Sequence, residues 1–169
     1  MGSLMATIQK VVPCLWFDSH AEEAAKFYIS VFPHSRIERI THYTSQGKEI
    51  HGREPGSIMT VTFELAGCRF TAVNGGPQFK FSEAISFQVL CDTQEEIDRY
   101  WAKLTAGGDE NSQQCGWLRD KFGLSWQIVP AKLEELLSDD DPVRAGHTMN
   151  ALLQMKKVDI ARLEQAHAA

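Results

Sequence analysis

The sequence lacks any long apolar run, any basic cluster and any pair of closely spaced cysteines. No apolar stretch approaches the roughly 20 residues that a membrane-spanning helix needs. The formal net charge is −5 with scattered Lys and Arg, which argues against a nucleic-acid partner. No signal-peptide pattern precedes Ala6, and Met1–Leu4, ahead of a second methionine, is typical of an expression remnant. We therefore expect a cytoplasmic protein with neither a nucleic-acid nor a membrane partner.

Clusters of reactive side chains are also missing. Four widely spaced cysteines without a CxxC pair are typical of reduced, buried thiols: Cys14, Cys68, Cys91 and Cys115. Strand alternation places Cys14 in the core, and Cys115 is the candidate for a reactive thiol. The six histidines form no spaced group. We expect four of them to be exposed, namely His20, His34, His147 and His167, whereas His42 and His51 could reach a pocket.

What is present suits one globular unit, because 169 residues with 43% hydrophobic side chains can bury about 70% of the unfolded surface. Its organising stretch is a predicted β-hairpin, Cys115–Pro130. Leu124, Trp126 and Ile128 share one face of the second strand, which predicts a core face. Ser125, Gln127 and Val129 share the other face, which predicts the lining of a cavity.

The first half of the chain reads as strand, helix and three strands. Ser19 and Glu22 have the spacing of a capping box, and an apolar stripe from Ala24 to Phe32 predicts a helix that ends at Pro33. A polar loop, Thr44–Ser57, interrupts the strands. The predicted strands are Val11–Phe17, Ile37–Tyr43, Ile58–Leu65 and Cys68–Val73.

The second half repeats this pattern. A shift of 73 positions lays the apolar stripe of the first helix on Ile97, Tyr100, Trp101 and Leu104, behind a second capping box at Thr93 and Glu96. Ile85–Cys91 opens the repeat as a strand, and a weak strand is expected within Asp109–Gln114. The tail after Pro130 predicts three helices: one at Leu133–Leu137, one after Asp141-Pro142 and one over Asp159–Ala166.

The repeated unit resembles the vicinal-oxygen-chelate superfamily, which includes glyoxalase I, extradiol dioxygenases and bleomycin- and fosfomycin-resistance proteins. It is most similar to the PhnB-like branch, whose members often carry the label 3-demethylubiquinone-9 3-methyltransferase. The matching motifs are Leu15–Asp18, Ala21–Tyr28, Phe70–Gly76, Glu83–Phe87, Cys115–Leu118 and Phe122–Pro130.

The resemblance implies an α+β fold of two βαβββ half-units that form a curled mixed sheet with helices on its outer face. We expect residues 6–130 to form a single glyoxalase-like domain of two repeats, about 8–76 and 84–130. Residues 131–169 then form a helical C-terminal extension that docks on this domain or on a second copy.

The resemblance also implies four positions for the ligands of a divalent metal, one on the first and last strand of each half. These positions carry Pro13, Ala72 (or Phe70 if the register slips), Ser86 and Gln127. Pro and Ala cannot coordinate through their side chains, and Ser and Gln are weak ligands for a transition metal. We therefore expect neither a metal nor another cofactor.

A predicted cavity remains, lined by apolar, aromatic and uncharged polar side chains. Its candidate ligand-binding residues are Pro13, Leu15, Phe17, Phe70, Ala72, Asn74, Ser86, Gln88, Ser125 and Gln127. The same side chains could instead fill the interior. The open edges and apolar tail helices favour a homodimer.

Three functions stay open. The first is metal-free binding of an unidentified small organic molecule, similar to the bleomycin-binding proteins. The second is a metal-dependent lyase, isomerase or dioxygenase-like enzyme with unusual ligands such as His42, His51 or Glu64. The third is the methyltransferase of the family label, although the chain has no glycine loop between strand and helix for adenosylmethionine. Whether it is an enzyme, and at which catalytic residues, is left open.

Overall fold

A computed structural model describes residues 9–169. The predicted domain start at residue 6, the repeat start at residue 8 and the remnant Met1–Leu4 lie outside the described residues. The chain divides into two compact units at Lys80 and Phe81, and the C-terminal helices belong to the second. Within the described residues, no helix is both long and apolar enough to cross a membrane.

The first unit is a four-stranded mixed sheet with one long helix. Its strands lie in the order β1-β4-β3-β2, with β1 parallel to β4 and the other pairs antiparallel. A short helix, α2, forms within the predicted polar loop. The elements are β1 (Cys14–Phe17), α1 (Ala21–Val31), β2 (Arg36–His42), α2 (Lys48–His51), β3 (Ile58–Leu65) and β4 (Cys68–Asn74).

The core of the first unit lies between the sheet and α1. The ring of Tyr28 on α1 stacks on Phe63 of β3, and Phe63 stacks on Phe70 of β4. The predicted capping box at Ser19 is wrong, because α1 begins at Ala21 and its first N–H donates to Asn74 Oδ1 at 2.9 Å. A side chain from β4 therefore caps this helix.

The second unit contains a three-stranded sheet in the order β5-β7-β6, with β5 parallel and β6 antiparallel to β7. The second capping box is confirmed: the Thr93 side chain accepts from Glu96 N, and Glu96 Oε2 accepts from Asp92 N. A 3-10 turn, Glu110–Ser112, stands where the sequence suggested a weak strand. The elements before the tail are β5 (Phe87–Cys91), α3 (Gln94–Thr105), β6 (Trp117–Arg119) and β7 (Ser125–Pro130).

The hairpin of β6 and β7 is held by one buried carboxylate. Asp120, 3% exposed, accepts hydrogen bonds from Phe122 N at 2.8 Å, Leu124 N at 3.1 Å and Trp126 Nε1 at 2.8 Å. Gly123 completes the turn with a φ of +87°. The side chains of Trp126 and Ile128 are buried on the face of β7 that packs against α3, as the alternation predicted.

The tail forms α4 (Leu133–Leu137), α5 (Pro142–Leu153) and α6 (Ile160–His167), and it packs on the second unit. Asp141 caps α5 through Val143 N at 2.9 Å, with Pro142 in the first turn as predicted. Val158 and Leu163 are fully buried. The carboxamide of Gln94 on α3 donates to Val158 O and accepts from Ile160 N. The tail is thus an integral part of this unit.

Candidate functional site

The face of the second sheet opposite α3, here called its open face, carries a row of hydrogen-bonded polar side chains. Gln127 Nε2 donates to Ser86 Oγ at 2.8 Å, and Gln127 Oε1 accepts from Gln88 Nε2 at 3.2 Å. The register explains this row, because Gln88 and Gln127 are direct partners of the parallel pair β5 and β7. Directly paired residues point to the same side of a sheet.

These carboxamides form one wall of a groove with a volume of about 870 Å³. Beside them lie the apolar side chains of Leu90, Trp117 and Val129, and the groove is also lined by Ser112 and Gln114. The opposite wall comes from the tail helices, with Leu133 and Leu137 on α4 and Met149, Leu152 and Leu153 on α5. Three of these side chains are well exposed: Leu90 (62%), Met149 (42%) and Leu153 (52%). The groove therefore combines an accessible apolar surface with a short polar strip.

Within residues 9–169, Glu134 is the only acidic or basic side chain that lines the groove. Cys115 also lines it, with a φ of +54° that is unusual for a residue other than glycine. Burial raises the pKa of the Cys115 thiol above its ordinary value. The thiol is therefore protonated near neutral pH, and the geometry does not support a reactive thiolate.

Ser125 lies on the same face of β7 as Gln127, paired with Arg119 of β6. Its side chain is 1% exposed, and Oγ has no hydrogen-bond partner among residues 9–169. A buried hydroxyl without a partner is uncommon in folded proteins. Of the four candidate ligand-binding residues in the second unit, Gln88 and Gln127 line the groove, whereas Ser86 contacts it through Gln127.

The predicted faces of the first sheet are wrong. Leu15, Phe17, Phe70, Ala72 and Asn74 were expected to line a cavity, but all are at most 8% exposed and share the face of the sheet that packs on α1. Pro13 precedes β1 and contributes its carbonyl oxygen, which accepts from Thr71 N at 2.9 Å. In the first unit Leu15, Phe17, Phe70 and Ala72 form the core, whereas Asn74 also lines a small pocket of about 320 Å³ beside the start of α1.

The open face of the first sheet, opposite α1, instead carries Cys14, Trp16, Thr62, Thr71 and Val73. Cys14, expected in the core, is exposed, as is Cys68. The Trp16 indole lies over Gly75, donates to Gly76 O at 2.8 Å and meets Phe79 edge to face. A Cβ on Gly75 would lie 2.1 Å from the indole, so glycine is required there.

One end of this open face carries an ion-pair network. Arg36 contacts Glu64 at 2.8 Å and Glu38 at 3.2 Å, and Glu38 also contacts Arg69 at 2.8 Å. The hydrogen bond from Arg69, with further help from Arg36, lowers the pKa of Glu38. These charges neutralise each other, so this face presents no unpaired carboxylate to a cation.

The residues at the implied metal positions do not fit a catalytic transition metal. Pro13 and Ala72 offer no donor, and Ser86 and Gln127 are bonded to each other. Two of the three unusual ligands already have partners: Glu64 is paired with Arg36, and His51 Nδ1 accepts from Arg53 N while its ring packs on Tyr43. Over residues 9–169, no three His, Cys, Asp or Glu side chains form a group that could hold a metal ion.

Two histidines of the tail, His147 and His167, were predicted to be exposed but are not. His147 Nδ1 is buried and has no hydrogen-bond partner in the described part of the chain. His167 Nδ1 lies 2.9 Å from Thr148 Oγ1, and His167 Nε2 lies 3.1 Å from Asp139 Oδ2. Thr148 is fully buried, so this hydroxyl, imidazole and carboxylate tie α5, α6 and the loop after α4 together and offer no accessible nucleophile.

Comparison with known proteins places the fold and the family. The family model of 3-demethylubiquinone-9 3-methyltransferase matches residues 9–129. The PhnB protein from Bacillus cereus, a candidate 3-demethylubiquinone-9 3-methyltransferase, is 35% identical with a TM-score of 0.63, over 73% of this chain and 100% of that chain. No curated protein shows significant similarity to the chain.

Two fosfomycin resistance proteins named FosX share the fold at lower identity. The one from Mesorhizobium loti is 14% identical with a TM-score of 0.54, over 78% of this chain and 98% of its own. The one from Listeria monocytogenes is 18% identical with a TM-score of 0.51, over 79% and 99%. The matched residues lead to one conclusion: the chain belongs to the 3-demethylubiquinone-9 3-methyltransferase family, together with PhnB-like proteins.

Proposed function

We propose that the protein binds a small organic molecule, without a metal, in the groove of its second unit. The observation that carries the proposal is the hydrogen-bonded pair of Gln88 and Gln127, with Ser86 bonded to Gln127, in a groove of about 870 Å³ whose other lining side chains are mainly apolar. Ligand pockets commonly span about 300–1,000 Å³ and combine apolar walls with a few polar groups that orient the ligand. This groove has that composition and that size.

The carboxamides retain hydrogen-bonding capacity. A Gln side chain has two N–H donors and an oxygen with two lone pairs, so it can form up to four hydrogen bonds. Gln127 uses two of these and Gln88 one in the contacts described. A ligand with one amide, carbonyl or hydroxyl group could bond to the remaining positions while its apolar part contacts Leu90 and Trp117.

Binding can be tested with N-phenyl-1-naphthylamine, a neutral fluorophore whose emission rises in apolar surroundings. We expect saturable binding of one molecule per chain. Leu90→Trp places an indole in the groove and should weaken binding at least 10-fold. The matched control is Ile85→Trp, because Ile85 is also exposed (70%) in the second unit but does not line the groove. Absence of binding, or equal loss in both variants, would contradict the proposal.

Metal content separates the proposal from the superfamily enzymes. The donors at the implied positions, Pro13, Ala72, Ser86 and Gln127, do not suit a transition metal. We expect elemental analysis of the purified protein to find far less than one zinc, manganese, nickel or iron per chain. About one metal ion per chain, lost on replacing Gln88 and Gln127, would favour an enzyme with atypical ligands.

The family name favours a methyltransferase as a second candidate. The architecture argues against it, because each unit has a small mixed sheet instead of the doubly wound parallel sheet that adenosylmethionine enzymes ordinarily use. Calorimetric titration with adenosylmethionine distinguishes the two. Binding heat that fits one adenosylmethionine site per chain with micromolar affinity would favour the methyltransferase. The absence of binding heat at 100 μM protein would favour a binding protein.

We also propose that the protein is a homodimer in the cytoplasm. Several large apolar side chains are well exposed, including Val11 (84%), Phe79 (65%) and Ile85 (70%). β2 and β6 are each the last strand of their sheet and leave backbone groups that a second chain could cover. Sedimentation equilibrium should give about twice 19.0 kDa at tens of micromolar, and a clean monomer would refute this.

A further inference from the structure

We propose that the C-terminal helices α4 and α5 determine which ligands the groove accepts, and that they select neutral molecules with an apolar body and one amide or carbonyl head. The inference rests on the proposed function. The family model ends at residue 129, before these helices. More than a quarter of this chain has no counterpart in the Bacillus cereus PhnB protein, which is matched over its full length. The helices thus lie outside the residues that the family model matches.

The added helices supply an entire wall. Their contribution to the groove is mainly apolar, but α4 also supplies the carboxylate of Glu134, and Ser138 follows it. The apolar side chains are Leu133, Leu137, Met149, Leu152 and Leu153. The opposite wall, on β5 and β7, supplies the two carboxamides. A ligand between these walls can therefore place a neutral polar group against the carboxamides of the sheet and its apolar body against the leucines and Met149 of the helices. Changes at the apolar side chains of the helices should alter the preference for the body of the ligand and leave the preference for its head unchanged.

Hydrogen bonds and buried side chains hold the tail that forms this wall in place, so the wall can discriminate between ligands by their shape. Met155 and Lys156 accept through their backbone oxygens from Cys115 N and Gly116 N, each at 2.8 Å. Gln94 holds the backbone on both sides of Asp159, with bonds of 3.0 Å and 2.9 Å. Buried Val158 and Leu163 anchor the segment in the core. These contacts fix the tail to α3 and to the turn before β6, within the unit that also carries Gln88 and Gln127.

The charge of the groove selects against anions. Among the described residues that line it there is no Lys or Arg side chain, and the one ionisable carboxylate belongs to Glu134. Moving a carboxylate ligand out of water beside this group would cost free energy that no cation offsets. The length of the ligand that fits the groove is set by the distance between the carboxamides and the leucines of α5. The ligand class is therefore a neutral amide or ketone with an aliphatic or aromatic body.

The test measures displacement of N-phenyl-1-naphthylamine from the full-length protein by decanamide and by decanoate. We expect decanamide to bind at least 10-fold more tightly than decanoate. Met149→Ser and Leu153→Ser should each weaken decanamide binding about 5- to 30-fold. The matched control is Val143→Ser, because Val143 is exposed (59%) on the same helix but does not line the groove.

A head-group variant completes the design. Gln127→Leu should reduce the advantage of decanamide over decanoate, whereas Met149→Ser should weaken both ligands and leave that ratio unchanged. If the fluorophore binds but both tail variants behave like Val143→Ser, the helices do not set specificity and only the proposed function stands. If decanoate binds as tightly as decanamide, the selection for neutral ligands is wrong. If the fluorophore does not bind the unmodified protein, both proposals fail.

Discussion

The buried carboxylate of Asp120 provides the sharpest test of how the second unit is held together. Asp120→Ala would remove the acceptor for three donors, two of them in fully buried bonds, Leu124 N and Trp126 Nε1. A buried donor left without a partner costs roughly 1–3 kcal/mol. These two donors therefore give a loss of about 2–6 kcal/mol, and the partly exposed Phe122 N adds less. This is a large fraction of the roughly 5–15 kcal/mol that typically stabilises a domain.

Asp120→Asn should be milder, and the order of the variants matters more than either value. The asparagine oxygen can still accept from Phe122 N and Leu124 N, whereas its NH₂ group would meet the N–H of Trp126. One buried bond is lost, so we expect a cost of roughly 1–3 kcal/mol. The matched control is Asp140→Ala, since Asp140 is exposed and a surface substitution usually changes stability by less than about 0.5 kcal/mol.

Urea denaturation followed by indole fluorescence measures these changes. Three of the four tryptophans belong to the second unit, so the signal reports mainly on the part of the chain that contains Asp120. Comparable slopes of free energy against urea would show that the midpoints reflect stability. An alanine variant within about 1 kcal/mol of the unmodified protein, or an asparagine variant less stable than the alanine variant, would refute the assigned role.

Three further predictions concern other sites. Gly116→Ala should lower the free energy of unfolding by about 2–4 kcal/mol, because φ is +83° and the new Cβ would lie 2.8 Å from a carbonyl oxygen of β7. Gly123→Ala is the matched control: its φ is similar but no atom lies near the new Cβ, so it should lower the free energy distinctly less in the same urea assay. Ser125→Ala should leave the urea midpoint unchanged or raise it, because no hydrogen bond is lost, and a cost above about 1 kcal/mol would reveal an undetected partner. The backbone N–H of Asp141, with help from Arg144 and His167, lowers the pKa of Asp139. The ionised Asp139 carboxylate therefore stabilises the fold above its unfolded pKa of about 3.9, and this stabilisation is lost as pH falls through the lower folded pKa. The midpoint difference between the unmodified protein and Asp139→Asn should therefore shrink between pH 5 and pH 2, and a difference that is constant over this range would contradict the assignment.

The sequence predicted the elements well because their signals are local. β3 was predicted at Ile58–Leu65, and the caps at Thr93 and Asp141 were also predicted correctly. These features depend on alternation, on apolar stripes and on a hydroxyl or carboxylate a few residues from the N–H that it accepts. The cap of α1 could not be predicted, since its acceptor, Asn74, lies 53 residues away in sequence.

The error in the faces of the first sheet has a simple origin. A shift of 73 aligns α1 with α3, but three residues connect β1 to α1 and only two, Asp92 and Thr93, connect β5 to α3. The strands of the two repeats therefore correspond at a shift of 74. Phe17 aligns with Cys91, and both are buried. A displacement of one residue moves every side chain of a strand to the other face, so Pro13 and Ser86 were wrongly treated as equivalent.

The groove itself was only half predictable. Alternation along the strands predicted that Gln127 and Gln88 both lie on the open face. In the structure the two residues are direct partners on that face. The tail wall depends on how α4 and α5 pack, which is set by buried contacts of Val158 and Leu163 far along the chain. Likewise, the bonds of His167 to Thr148 and Asp139 follow from the packing of α5 against α6, which the sequence pattern of either helix alone does not reveal.

The attachment of the tail through Gln94 has a consequence for the motions of the molecule. The amide proton of Ile160 is bound to a side chain 66 positions earlier in the sequence, and no helical carbonyl accepts it. It can exchange with solvent deuterium only when the tail separates from α3 or when the whole unit unfolds. The exchange rate of this one amide proton therefore reports the free energy needed for the tail to open. If exchange at Ile160 is much faster than at the fully buried Ile128, the wall of the groove opens on its own while the sheet stays folded, and ligands can enter by that route.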